Sequence, residues 1–272
     1  MVVFGSVVYD GAIEFLDDFI NSINKQTFDE FDVLLINDNI ESNVFEFYAN
    51  KIIKRRVYII GPVYTKTPAE LRVMLVLEAK KRGYDLLVLG DCDDTFESNR
   101  IEYICKKKMQ FPNYCFYYNN LCLKNGESCF LKLPNKTLTI DKILQFNYLG
   151  LSNNAINLSM IDKEWIYTLF EFDSFVFDWY LFSRILLSGG QGILVDDTFT
   201  IYRLHENNFV GVGSNSTEMI RKEYIVKKKH YCMLAKYSKQ IADLYGKINR
   251  VDVKKISSNR AKQGFWWSNI IL

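Results

Sequence analysis

The chain is poor in the residues that build metal–thiolate sites and disulfide frameworks. Its 272 residues include six cysteines and two histidines, and no two cysteines form a Cys-x-x-Cys pair. A structural zinc site or a disulfide-stapled scaffold is therefore not expected. Buried free thiols in a reducing compartment are the simpler interpretation, and they favour a cytoplasmic protein.

Long apolar runs are also missing. No segment approaches the ~18 consecutive apolar residues that a membrane-spanning helix requires. The first residues, "MVVFGSVVYDG", carry no basic region, so we expect a mature start without a signal peptide. A composition of 49% hydrophobic and 24% charged residues is typical of a globular protein with a substantial core.

The net charge of +2 is unevenly distributed along the chain. Residues 215–272 hold 13 Lys and Arg but 4 Asp and Glu, so the first 214 residues are net acidic. Apolar residues recur at helical spacing from 220 to 248, opposite a lysine-rich face on which we expect His230 at the surface. We therefore predict a domain over 1–214 and a basic helical extension over 215–272.

The extension has two interpretations. Its apolar stripe can pack on the body and leave the lysines in solvent, or the lysines can contact an anionic membrane surface. The second interpretation would place the protein peripherally at the inner face of a membrane. No nucleic-acid recognition motif is present, so nucleic acid is not an expected partner.

Strand-like and helix-like segments alternate through about the first 95 residues. The strand-like segments are so apolar that both of their faces must be covered, which is typical of a parallel sheet in an α/β fold. The helix after "GPVYTK" is marked by Thr67 as N-cap, Pro68 at its first position and Glu70 at capping-box spacing, and Gly83 follows as its C-cap.

Acidic residues follow the strand-like segments. Ligands of such sheets bind at the carboxyl ends of the strands. Tyr9, Asp38 and the aspartates of "LVLGDCDD" (Asp91, Asp93 and Asp94) all fall at this edge. Three like charges within four residues repel one another, so the pattern calls for a positive partner. A divalent cation that prefers hard oxygen ligands, Mg²⁺ or Mn²⁺, fits.

Other interpretations of this acidic turn stay open. An EF-hand loop is disfavoured because Phe96 stands where the loop needs glycine. The aspartates can also form a solvated turn. The pattern Asp91-x-Asp93-x-Thr95 further matches the nucleophile motif of HAD-type phosphatases, in which Asp91 would attack phosphorus and Asp196-Asp197 would hold the metal.

Two later residues add candidate chemistry. Asp178 lies at the start of the helical pattern "FDWYLFSRILL", where an acid is either a helix-dipole partner or a general base. His205 lies in the polar segment "YRLHENN" and suits a metal ligand or a phosphate contact. A lone histidine is equally compatible with a structural role.

Taken in order, these motifs resemble those of the GT-A-fold glycosyltransferases of family 2, over about residues 2–212. The similarity is carried by these stretches: "SVVYDG", "KQTFDEFDVLLINDN", "GPVYTKTPAELRV", "LVLGDCDD", "FDWYLFSRI" and "YRLHENN". It implies a GT-A-type, Rossmann-like, mostly parallel sheet flanked by helices. Two positions depart from the family pattern: Phe177 replaces the usual Glu, and "NDN" replaces the commoner two-aspartate turn.

The resemblance also implies roles for single residues. Tyr9 and Asp38 would contact the nucleotide base, Arg72 the diphosphate, and Asp91 the ribose. The metal, Mn²⁺ or Mg²⁺, would be surrounded by Asp93, Asp94 and His205, with the direct aspartate ligand left open. Asp178 would be the catalytic base.

The implied activity is inverting transfer of a sugar from a nucleoside-diphosphate sugar, with UDP favoured, to an acceptor hydroxyl. The acceptor would be a glycan, a lipid-linked molecule or a protein, and the implied role is bacterial surface-glycan assembly. The oligomeric state stays open. The alternatives are the HAD-type phosphatase and a catalytically inactive sugar-binding protein.

Overall fold

The computed structural model of the chain describes residues 1–172, 176–204, 217–252 and 264–272. The strands in these ranges are β1 (Val2–Tyr9), β2 (Phe31–Asp38), β3 (Val57–Val63), β4 (Leu86–Leu89), β5 (Thr95–Phe96), β6 (Phe116–Leu123), β7 (Lys136–Thr137), β8 (Asn154–Asn157) and β9 (Gly192–Tyr202). The α-helices are α1 (Leu16–Asn24), α2 (Ser42–Ala49), α3 (Pro68–Lys81), α4 (Arg100–Gln110), α5 (Lys163–Tyr167), α6 (Phe177–Leu187), α7 (Thr217–Leu234) and α8 (Lys239–Ile248).

The strands join in one sheet with the order β3-β2-β1-β4-β8-β6-β9-β5, and β7 pairs with β9. The first four strands in this order are parallel, and β6 runs parallel to β9. Strand β8 lies between β4 and β6 and is antiparallel to both. The predicted mostly parallel α/β sheet flanked by helices is confirmed.

The apolar strands β1, β2 and β4 are covered on both faces, as their composition predicts, whereas the edge strand β3 is only partly buried and exposes Ile59. In β2, Val33 and Leu35 face the core that holds α1, α2 and α4. Leu34 and Ile36 face the opposite core, which holds α3 and α6. This alternation follows from the two-residue period of a strand, and it explains why the strands read as continuous apolar runs.

Helix α3 begins and ends as its sequence predicts. The Thr67 hydroxyl accepts a hydrogen bond from the Glu70 N–H at 3.3 Å, and a Glu70 carboxylate oxygen accepts one from the Thr67 N–H at 2.8 Å. Gly83 follows the helix with a φ of 79°. This capping box fixes the first turns of α3, and Arg72 lies in them.

The helices of the predicted extension pack on the body. Apolar residues of α7 and α8 belong to the same core as α3 and α6, together with residues of the C-terminal segment 264–272. The expectation for His230 was wrong, because the imidazole is 3% exposed and stacks on Trp179 with ring centroids 4.0 Å apart. Polar groups also lie on the buried face of α7. No helix in the described ranges is both long and apolar enough to cross a bilayer.

Candidate active site

The carboxyl ends of β1 and β2 place Tyr9 and Asp38 side by side. The two residues are paired in the parallel register of these strands, and both are half-buried. Asn39 then takes a left-handed conformation, with φ of 65°, which turns the chain away from the sheet. Burial raises the pKa of Asp38, and the nearby positive charge of Arg72 opposes this effect.

The acidic turn begins after Gly90, where two aromatic rings leave no room for a side chain. A Cβ at Gly90 would lie 2.4 Å from the ring of Phe96 and 2.5 Å from the ring of Phe4. The absence of a side chain therefore lets β5 fold back closely against the sheet. The turn is closed by a hydrogen bond from the Asp94 N–H to the Asp91 carbonyl oxygen at 3.2 Å.

Asp91 faces the cation of α3. Its carboxylate lies 3.8 Å from Arg72 Nη2, and its backbone N–H donates to Ser152 Oγ at 3.2 Å. Burial raises the pKa of Asp91 to about 6; Arg72 acts in the opposite direction, and the charge of Asp93 adds to the rise. The position predicted for a diphosphate contact thus adjoins the one predicted for a ribose contact.

The other two aspartates of the turn have different environments. Asp93 is half-buried, and its Oδ2 accepts a hydrogen bond from the Tyr9 hydroxyl at 3.0 Å. Asp94 is 1% exposed, and its Oδ1 accepts from the Arg203 N–H at 2.9 Å. Burial and the charges of Asp93 and Asp91 raise the pKa of Asp94. Its Oδ2 is buried without a hydrogen-bond partner among the described residues.

Two arginines that the sequence did not single out support this turn. Arg203 Nε donates to the Asp93 carbonyl oxygen at 2.9 Å, and its Nη2 donates to Asp18 of α1 at 2.7 Å. Arg100 is fully buried and donates to Asn119 Oδ1 at 3.1 Å and to the Leu89 carbonyl oxygen at 2.9 Å. Burial lowers the pKa of Arg100 to about 9, and the charges of Asp94 and Asp91 oppose this shift.

Asp178 lies in the first turn of α6. It is distant in sequence from Arg72 and Asp91, but the charges of both residues act on its carboxylate. Its Oδ2 accepts a hydrogen bond from Asn147 Nδ2 at 3.1 Å. Burial raises the pKa of Asp178 to about 6; Arg72 lowers it and Asp91 raises it further. One arginine therefore interacts with Asp38, Asp91 and Asp178, which come from three separate elements.

The donor atoms of the turn suit a hard divalent cation. Mg²⁺ and Mn²⁺ are commonly held by one or two carboxylates together with substrate phosphates and water. Asp93 offers a half-buried carboxylate beside Arg72's partner Asp91, and Asp94 has an unpartnered buried oxygen. Within the described ranges, no three His, Cys, Asp or Glu side chains cluster as a metal site. His205 lies outside the described residues.

Some supporting residues have a sequence signal and others have none. Arg203 is part of the "YRLHENN" stretch, so its position beside the acidic turn could have been inferred from that motif. Asn147 and Ser152 lie in the buried loop "NYLGLSN", whose sequence carries no motif that links it to the site. Nothing in the sequence marks Arg100 for burial, since arginine is usually exposed.

The fold and the site define a GT-A-type α/β protein with several carboxylates near the carboxyl edge of its sheet. No family model matches the sequence, and no curated protein matches it. Solved structures do match. TarS 1–349 from S. aureus in complex with UDP-GlcNAc has a TM-score of 0.59 at 11% identity, covering 87% of this chain and 71% of that chain.

Two further solved structures are similar. The mannosyltransferase PcManGT from Pyrobaculum calidifontis, in complex with GDP-Man and Mn²⁺, has a TM-score of 0.60 at 12% identity, covering 91% of this chain and 68% of that one. The longer S. aureus TarS structure has a TM-score of 0.58 at 12% identity, and this chain spans 46% of its length. At such identities the similarity establishes a shared fold.

Proposed function

We propose that the chain is a glycosyltransferase that moves a sugar from a nucleoside-diphosphate sugar to an acceptor hydroxyl. One observation carries the proposal. Arg72 lies 3.8 Å from the Asp91 carboxylate at the carboxyl edge of a GT-A-type sheet, and its charge also acts to lower the pKa of Asp38 and of Asp178. Such an arrangement provides a cation that can bind a diphosphate. It also provides carboxylates that can contact a nucleotide base, a ribose and an acceptor hydroxyl.

The donor half of the site is formed by β1, β2 and α3. Tyr9 and Asp38 would contact the base, and Asp38 can accept the N3–H of uracil, which favours UDP. Asp91 would bind the ribose hydroxyls, and Arg72 the diphosphate. Among the similar structures, TarS is bound to UDP-GlcNAc and PcManGT to GDP-Man, so the fold accommodates more than one base.

A divalent metal, Mn²⁺ or Mg²⁺, would be held at Asp93, with Asp94 and His205 as the other predicted ligands. When bound, such an ion neutralises the charge of the leaving diphosphate. Asp93 is favoured as the direct ligand because its side chain is half-buried, whereas Asp94 is 1% exposed. The hydrogen bonds of Asp94 and Arg203 would hold the turn in the required shape.

Asp178 would act as the general base. Its carboxylate takes the proton of the acceptor hydroxyl while the acceptor oxygen bonds to the anomeric carbon. The bond from that carbon to the diphosphate oxygen breaks in the same displacement, and the nucleoside diphosphate leaves. A single displacement inverts the anomeric configuration. A pKa of about 6 suits this role near neutral pH.

The broader role rests on the family resemblance. The resemblance also predicts a role in surface-glycan assembly and a lipid-linked acceptor. Membrane contact would be made through the exposed lysines Lys228 and Lys229 of α7. The phosphatase alternative gains no support, because Asp196 and Asp197 are both exposed and Asp196 is paired with Lys107 of α4 at 3.5 Å.

Thermal unfolding with added nucleotides tests the proposal. UDP, GDP, dTDP and CMP would each be added with Mn²⁺ or with EDTA. A ligand at 100 times its Kd stabilises a fold by about 2.7 kcal/mol, which is readily measured. We expect a metal-dependent rise in Tm with UDP. Arg72→Met and Asp93→Asn should abolish it.

The matched control is Arg82→Met. Arg82 follows the last turn of the same helix, is exposed and lies over the ring of Tyr58, so its loss should leave nucleotide binding intact. No stabilisation by any of the nucleotides in the unmodified protein would overturn the proposal. Binding without release of nucleoside diphosphate from any sugar nucleotide would favour the inactive sugar-binding alternative.

A further inference from the structure

The loop at residues 147–153, which leads into β8, contacts both halves of the site. At its start, Asn147 Nδ2 donates to Asp178 Oδ2 at 3.1 Å. Near its end, Ser152 Oγ accepts from the Asp91 N–H at 3.2 Å. The position of this loop therefore sets how the predicted base lies relative to the acidic turn.

The side chain of Asn147 is held in one orientation. It is fully buried, and its Oδ1 accepts from the Leu149 N–H at 3.0 Å. Its Nδ2 donates to the Leu149 carbonyl oxygen at 3.1 Å as well as to Asp178. Because the amide oxygen faces an N–H donor, the amide nitrogen is the atom that faces the carboxylate.

The backbone of Asn147 is held by the C-terminal segment 264–272. The Asn147 N–H donates to the Trp266 carbonyl oxygen at 2.9 Å, and the Trp266 N–H donates back at 2.9 Å. The indole ring of Trp266 also covers Gly150. A Cβ at Gly150 would lie 2.9 Å from the ring atom Cη2. The segment and the loop are thus fitted to each other at two points.

The C-terminal segment is in turn fixed to α7 by a buried ion pair. Glu223 accepts from the N–H groups of Asn269 at 3.1 Å and Ile270 at 2.7 Å. Lys227 lies 3.2 Å from the Glu223 carboxylate, and both side chains are buried. Lys227 also donates to the Ile270 carbonyl oxygen. These contacts connect α7 to Asn147 through the segment.

We propose that the C-terminal segment 264–272 contributes to the catalytic site by holding Asn147 in place, and that Asn147 is a positioning residue for Asp178. The inference rests on the proposed function in that Asp178 is the base there. It assigns the basic extension a role in the site, in addition to any contact with other molecules.

Besides burial and Asn147, four groups influence the charge of Asp178, and one of them is its own backbone N–H, which favours the ionised carboxylate. Arg72 of α3 and the backbone N–H of Trp179 in α6 favour the ionised carboxylate, and Asp91 of the acidic turn disfavours it. The Asn147 amide donates to the carboxylate and so also favours its ionised form. Removing that donor should therefore raise the pKa of Asp178 by about one unit.

The test is a ¹³C-carboxyl NMR titration of protein labelled at aspartate, with the Asp178 signal assigned from Asp178→Asn. Asn147→Ala should move the midpoint up from about 6. Gly150→Ala should move it in the same direction, because its new Cβ displaces the Trp266 ring. This second variant decides the question if Asn147→Ala does not fold.

Each variant has a matched control. Asn157 is 2% exposed, and its Nδ2 donates to the carbonyl oxygens of Pro112 at 2.9 Å and Tyr114 at 3.1 Å, so Asn157→Ala removes a buried amide elsewhere. The control for Gly150→Ala is Gly246→Ala in α8, where no atom lies within 4 Å of the added Cβ. Neither control should shift the titration of Asp178.

An unchanged Asp178 midpoint in both folded test variants, or an equal shift in the controls, would overturn the proposal. The titration needs neither donor nor acceptor. A failure of nucleotide binding would therefore count against the proposed function alone. In an active enzyme, the same variants should move the acid limb of the kcat/KM profile to higher pH.

Discussion

Replacing Asp178 with asparagine is expected to stabilise the fold and to slow transfer strongly. Burial raises the pKa of Asp178 from 3.8 to about 6 in the folded state. Between these values the folded protein binds more protons than the unfolded chain, so stability falls as the pH rises through this window. Above pH 6 the full cost of the buried charge is present. The amide of Asn147 would still find an acceptor in the asparagine.

The magnitude follows from the size of the shift. The difference between 3.8 and about 6 is about two units, each equivalent to 1.36 kcal/mol, which gives about 3 kcal/mol above pH 6. Asp178 is half-buried, so solvent reduces this value, and we expect a gain of about 1–3 kcal/mol. Since 1 kcal/mol shifts Tm by roughly 2–4 °C in a protein of about this size, the effect is measurable.

Urea unfolding at pH 4.5, 6 and 8 in the absence of ligands would test this prediction. The gain from Asp178→Asn should grow between pH 4.5 and 6 and then stay constant. Asp243→Asn, at an exposed position of α8, is the control and should show no such trend. A gain that is independent of pH, or a loss of stability at pH 8, would refute the reasoning. Loss of the base should lower the rate of transfer by about 10²–10⁴-fold.

Three other substitutions have expected outcomes. Arg100→Met leaves the Asn119 and Leu89 oxygens without their buried donor, so urea unfolding should show a loss of about 2–4 kcal/mol; an unchanged midpoint would contradict this role. Lys227→Ala leaves Glu223 buried and unpaired and should cost about 3–5 kcal/mol at pH 8, whereas the exposed neighbour Lys228→Ala should change little. Tyr9→Phe removes the hydroxyl that donates to Asp93, so the Mn²⁺ concentration for half-maximal nucleotide binding should rise about tenfold, while the Tm of the free protein should not change. An unchanged Mn²⁺ dependence would argue against Asp93 as the ligand.

Local patterns were sufficient for several elements. The capping box and terminal glycine of α3 are short-range signals, and the helix has the predicted start and end. Asp38 and the acidic turn follow strands that the continuous apolar runs identified, so their placement at one edge follows from the parallel register. Asp178 was correctly predicted to lie at the start of α6, because a run of mostly apolar residues follows it directly.

Other features depended on long-range contacts. Strand β8 contains two asparagines that are buried by pairing and by hydrogen bonds, so its sequence lacks the apolar pattern of a central strand. His230 was expected at the surface because lysines precede it. One of these, Lys227, is itself buried beside Glu223, and this pairing allows a charged face of α7 to turn inwards.

The sequence by itself determined the alternating strands and helices and the acidic residues at the strand ends, because these depend on periodicity and on chain neighbours. Only the tertiary structure decided which groups share an electric field. Arg72, Asp91 and Asp178 are brought together by α3, β4 and α6, and Trp266 reaches Asn147 across more than a hundred residues of chain. Charges interact through space, and no local pattern encodes those distances.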